Sequence, residues 1–279
     1  MTDADVHIRG WGAVTTLGWS ARESARRLLV GHVPPAAVCS SSHLINSDFK
    51  AFEVPFAGDP LAKSLAMLDA AIGEAFERAR LTPAEIAESA LLVGTTGGLF
   101  IRNEFDFTDS VRRNPGEASP SISCRNRGPG EVTQFIAEKF GIRGMTFTLS
   151  MACVSSSHAL VVALRLLGRQ KIRRAVVVGF EPLLNMTLHG FASLLLYDAD
   201  RCRPFCSTRS GMQIGESAAC VVLEAGGPTP AEGQRYTLQG GYLFNDNSSL
   251  TSAGTDGEMV KTVVAEALAD ARILSGDIL

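Results

Sequence analysis

Apolar positions along the chain recur in two periods, and the segments that carry them alternate. Val6 to Ala13 has strand composition, and Ser20 to Leu29 has helical composition with Ser20 as its cap. Pro34 and Pro35 open a serine-rich irregular stretch that runs to about Asp59. From Leu61 to Arg80, Leu65, Leu68, Ile72 and Ala75 recur at helical spacing. Thr82, Pro83 and Glu85 in "LTPAEIAESA" are a helix-start signature, with Thr82 as cap and Pro83 at the first helical position. "ALLVGTTGGLF" is a buried strand entering a glycine-rich turn, Gly128 to Phe140 a helix, and Met145 to Leu149 a strand. After Cys153 a helix carries Ala159, Val162, Ala163, Leu166 and Leu167 on one side. "RRAVVVGFE" and "SAACVVLEAG" are continuous apolar runs, the form that parallel or doubly covered central strands take. "YTLQGGYLF" begins a further strand, and Asp256 to Ile273 is a helix. Strands and helices in this order predict a layered α/β architecture with sheets covered by helices on both faces.

Composition narrows this without changing it. A chain of 279 residues, 46% of them hydrophobic, can bury a large core, and it is read as one domain over residues 1–279. A net charge of -3 supplies no general attraction to nucleic acid or to an anionic membrane. The acidic start "MTDADVHIRGWG" lacks the cationic and apolar regions of a secretory signal, and no uncharged apolar run reaches the ~18 residues of a membrane span. A cytoplasmic location is the expectation. The six cysteines, at 39, 124, 153, 202, 206 and 220, show no CxxC pair and no histidines at metal-site spacing, so no metal is expected.

One cysteine is placed for chemistry. In "TFTLSMACVSSSHALVVALRLLG", Cys153 follows a strand and a tight turn and sits at the first turn of a helix, where unpaired backbone N–H groups and the helix dipole favour a thiolate. Ser155, Ser156 and Ser157 leave room for a substrate. The arrangement suits attack on a thioester, with backbone N–H groups stabilising the oxyanion. His158 lies five positions on, about 500° around a helix, and so off the cysteine's face. His189, in "LHGF", is read as a loop residue able to approach the site.

"SMACVSSSHAL", followed by "RRAVVVGFE", "HGFASLLLYD", "CRPFC" and "GMQIGESAACVVLEAG", resembles the β-ketoacyl-acyl-carrier-protein synthases of the thiolase fold. "VHIRGWGAVTTLG", "VGTTGGL" and "SPSISCRNRGPGEVTQFIAEKFGIRG" agree in the same order. The resemblance implies a thiolase-like layered αβαβα fold, incomplete in its C-terminal half, with Cys153 at the position of the family's acyl-accepting cysteine. The family's two catalytic histidines and lysine would follow "ADARILSGDIL" and are not in this sequence. "STRSGMQIGESA" also departs from the family's pattern at Ser210, Met212 and Ser217.

Two functional classes follow from the resemblance. The first is an auxiliary subunit resembling a chain-length factor, including those of the aryl polyene type, which pairs with a full-length ketosynthase and shapes its acyl tunnel. The second is an acyltransferase that uses Cys153 with His189 or with groups supplied by a partner. A third reading is a gene fragment whose other half is a separate chain or was lost. No bound cofactor is expected, since substrates would arrive on the phosphopantetheine of an acyl carrier protein. "MTFTLS" is the expected partner-facing strand, and Phe191 and Met212 are candidate tunnel residues. Arg169, Lys171, Arg173 and Arg174 form a basic cluster that could attract an acidic carrier protein, as could Arg125 and Arg127.

Overall fold

The computed structural model describes residues 5–31, 37–38, 49–113, 128–198, 200–226, 236–247 and 256–278. Arg125, Arg127, Cys39 and Cys124 lie outside the described residues. In chain order the strands are β1 (Val6–Val14), β2 (Ala37–Val38), β3 (Lys50–Ala51), β4 (Ala90–Gly94), β5 (Thr146–Leu149), β6 (Arg174–Glu181), β7 (Ser217–Ala225) and β8 (Tyr236–Leu238). The α-helices are α1 (Ala21–Leu29), α2 (Pro60–Ala79), α3 (Pro83–Glu88), α4 (Ile101–Arg113), α5 (Gly130–Phe140), α6 (Ser155–Gly168), α7 (Asn185–Ser193) and α8 (Glu258–Ala271).

Six strands form one mixed sheet in the order β5-β4-β6-β7-β1-β8. β4 runs parallel to both β5 and β6, whereas β7 runs antiparallel to β6 and β1. The unbroken apolar runs of β6 and β7 therefore report coverage on both faces and not strand direction. Side chains alternate along each strand. Leu91, Val93, Val176, Val178, Cys220 and Val222 face a core built with α2 and α5. Ala90, Leu92, Ala175, Val177 and Leu223 face a second core built with Ala159, Ala163, Leu164 and Leu167 of α6. Along β4 and most of β6 either neighbour of a buried residue is thus buried too, which is why polar positions are missing there, whereas Ala219 of β7 is exposed and Val221 half-buried.

The helix starts behave as their residues dictate. Ser20 accepts the Glu23 N–H at α1, and Asp59 accepts the Leu61 and Ala62 N–H groups at α2. Thr82 and Glu85 form a reciprocal capping box at α3. Two helices go unannounced in the hydrophobic pattern, α4 and α7. α8 docks through Arg165 of α6, which pairs with Asp270 at 2.6 Å, while the Gly241 N–H donates to the same carboxylate at 3.0 Å.

Several of the charged residues inside the molecule are paired. Lys63, 4% exposed, bridges Glu216 at 2.6 Å and Glu53 at 2.9 Å. Glu216 also accepts the Val54 N–H, tying the segment after β3 to the segment before β7. On the same face of the sheet, at the other end of β6 and β7, Arg174 pairs with Glu224 at 2.6 Å and Glu85 at 2.9 Å, and Arg9 reaches the same two carboxylates. The capping N–H of Thr82 and the Arg9 guanidinium hold Glu85 well down, at about 2.

Candidate functional site

Helix α6 meets the sheet more closely than side chains would allow. A Cβ on Gly94, the last residue of β4, would lie 2.4 Å from the Ser155 carbonyl oxygen, and one on Gly179 of β6 would lie 2.9 Å from the Ser156 Cβ. Glycine at both positions lets the first turn of α6 sit against the strand ends. Val154 leads into that turn, and no side chain caps it.

Ahead of the turn the backbone doubles back. Ala152 has φ of +50°, a region that alanine adopts only when its surroundings compel it. The Ser155 hydroxyl donates to the Ala152 carbonyl at 2.7 Å and accepts the Met151 N–H at 2.8 Å, and the Thr96 hydroxyl donates to the same carbonyl at 3.3 Å. Cys153 therefore leaves a held, strained elbow and is exposed as a free thiol. It lies two residues ahead of Ser155, a little outside the first helical turn where its sequence context places it.

The thiol opens on a cavity of about 630 Å³. The end of β4, the start of α6, β6, α7 and β7 bound it, with Leu160, Val177, Phe191, Leu194 and Val221 among its apolar walls. Among the described residues, two ionisable side chains line it, Cys153 and Glu181. Glu181, at the end of β6, accepts the Thr96 N–H at 2.8 Å and the Gly97 N–H at 2.9 Å, while burial pushes its carboxyl above the ordinary range. The α7 wall is set by Glu104 of α4, which accepts the Asn185 and Met186 N–H groups, each at 2.9 Å. Burial raises this carboxyl as well.

The cavity sorts the residues singled out from sequence. Phe191 lines it and Met212 does not: Met212 is 38% exposed and bonded through its backbone to Leu196 and Asp198. His158 is half-buried on α6 and is not a lining residue. His189 lies on a helix and not in a loop, where it is exposed and its ring stands edge-on to Phe49 at 5.0 Å. Arg169, Lys171 and Arg173 are exposed after α6, but Arg174 is 4% exposed and held by Glu85 and Glu224. Its place is inside the fold, and the surface cluster has three members.

The family profile described as Beta-ketoacyl synthase, N-terminal domain, matches residues 59–226, more than half of the chain. The chain belongs to this family. The matched span runs from the capping residue of α2 to the end of β7 and contains every strand and helix that bounds the cavity. The chain is 28% identical over 198 residues to the highly reducing polyketide synthase dmxL2 of Cryptosporiopsis sp. strain 8999, covering 67% of this chain and 8% of that one. It is 26% identical over 303 residues to nodulation protein E of Rhizobium meliloti, covering 99% and 71%. A solved structure of a ketosynthase in complex with its chain length factor, from Xenorhabdus doucetiae, superposes with a TM-score of 0.80 at 26% identity, covering 99% of this chain and 70% of that one. The fold is accordingly that of the thiolase-like ketosynthases. Glu181, Thr96 and Glu104 are the site residues that sequence reasoning missed. Only Glu181 left a trace, as the charge that ends the apolar run "AVVVGFE".

Proposed function

We propose that this chain is an auxiliary, chain-length-factor-like subunit of a heterodimeric β-ketoacyl-acyl-carrier-protein synthase, in polyketide, polyene or fatty-acid-type biosynthesis. In this role it pairs with a full-length ketosynthase and shapes the tunnel that takes the growing acyl chain. The observation that carries the reading is the make-up of the cavity: apolar walls around Cys153, with no histidine, lysine or arginine among the described residues that line it. Condensation needs groups that generate and stabilise a carbanion, and loss of members of such a set costs several orders of magnitude in rate. Likeness to the ketosynthase and chain length factor complex supports the heterodimer. The exposed apolar side chains along β5 and the elbow, Met145, Phe147, Met151 and Val154, supply a surface for the partner. Substrates arrive on the phosphopantetheine of an acyl carrier protein, for which Arg169, Lys171 and Arg173 are the docking residues.

A second reading is favoured by the elbow. A strained backbone that presents a free thiol to an apolar cavity suits an acyl acceptor. Here Cys153 takes the acyl group, and the partner supplies the acid–base groups.

Co-expression with a candidate full-length ketosynthase tests the first reading, which expects a stable 1:1 complex on gel filtration. A homodimer that condenses malonyl thioesters unaided would sink it. Cys153→Ala in the complex separates the two: little loss of product under the auxiliary role, near-complete loss under the acyl-acceptor role.

A further inference from the structure

Glu181 is a half-buried carboxylate held by the backbone N–H groups of Thr96 and Gly97, with no salt-bridge partner among the described residues. A carboxylate in that position is costly unless its oxygens are fully used, so what it holds is informative. One oxygen accepts the Thr96 N–H and the other the Gly97 N–H. The contact is close: a Cβ on Gly97 would lie 2.9 Å from a Glu181 carboxylate oxygen. That grip sets the position of Thr96, whose hydroxyl donates to the carbonyl of Ala152, the strained residue just before Cys153.

We propose that Glu181 and Thr96 are positioning residues for Cys153: the carboxylate fixes the turn after β4, and the turn's threonine hydroxyl fixes the elbow that aims the thiol into the cavity. Neither group exchanges a proton with substrate in this role. They act through the backbone, as small displacements of a nucleophile are costly in rate. The inference rests on Cys153 being the reactive thiol of the cavity, the second of the readings above.

The test uses the full chain and iodoacetamide, with alkylation at Cys153 and Cys206 followed by peptide mass spectrometry. Thr96→Val removes the hydroxyl and keeps the shape, and Thr96→Ser restores it. Glu181→Gln keeps one acceptor oxygen where two are needed. Thr96→Val and Glu181→Gln are expected to slow Cys153 alkylation about tenfold, and Thr96→Ser to stay within about twofold of wild type, with Cys206 unchanged throughout. Wild-type reactivity of Cys153 in Thr96→Val overturns the proposal, as does a parallel fall at Cys153 and Cys206, which would report general loosening. Should Glu181→Gln fail to fold, the threonine pair still decides. A wild-type Cys153 no more reactive than free glutathione would instead count against Cys153 as the reactive thiol, whatever the order of the variants.

Discussion

Arg174 shows how the same residue type can serve opposite ends within one short segment. Its neighbours Arg169, Lys171 and Arg173 are exposed, while its own guanidinium is enclosed by Glu85 and Glu224. Removing one partner of a buried pair costs about 3–5 kcal/mol, because the other charge stays in the interior. Arg9 remains to serve Glu224 at 3.0 Å, so Arg174→Met is expected to lower stability by about 3 kcal/mol, at the low end of that range, in urea unfolding. Alanine at Arg169 or Lys171 should stay within about 0.5 kcal/mol and show its effect in carrier-protein affinity alone. The four cations read alike in the sequence because their difference lies in Glu85 and Glu224, which come from distant segments. Cys153 was legible for the opposite reason: strand, turn and helix are contiguous around it.

Elements whose stability is local could be read, and those that depend on distant partners could not. Ser20, Asp59 and Thr82 sit within three residues of the N–H groups they accept. α7 has no such signal. Leu184 leads into it without a side-chain cap, and the acceptor for its first N–H groups is Glu104, some 80 positions earlier. α4 was equally silent, since two of its three buried residues are Asn103 and Glu104. Glu104→Gln leaves one acceptor oxygen for several donors and should cost about 1–3 kcal/mol. Burial raises the folded-state pKa of Glu104, so its contribution to stability is present below the ordinary glutamate range and is lost as pH rises through the raised value. The gap between wild type and Glu104→Gln is therefore expected to widen as pH falls from neutral, which denaturant midpoints across that interval would show. A gap that does not change with pH would contradict the assignment.

At the scale of the molecule, the sheet has two unlike borders. β8 is short, whereas β5 ends the other side with Phe147 38% exposed and Met145 and Met151 about half exposed. An edge strand with apolar side chains and unpaired backbone groups is a template for another strand. Phe147→Asp is expected to abolish the 1:1 complex with a ketosynthase while leaving the thermal midpoint of the isolated chain within about 2 °C. Retention of the complex would move the partner surface elsewhere. The layered α/β class was legible because covered strands must be apolar throughout. The mixed direction of the strands was not, since a residue's burial carries no information on which way its neighbour runs.

The pairing of β1 has a consequence for how the chain is made. Ile8 pairs with Leu223 and Tyr236, so β1 has no partner in the sheet until more than 200 further residues have been made. β4, β5 and β6, with their helices, are complete long before that and can assemble as a parallel unit. Such distant pairing makes closure of the sheet a late and slow event. What β1 waits for is its strand edges and not its cover: Gly10 and Gly12 lie against Ala71, Ala75 and Ala79 of α2, which follows it within the first third of the chain.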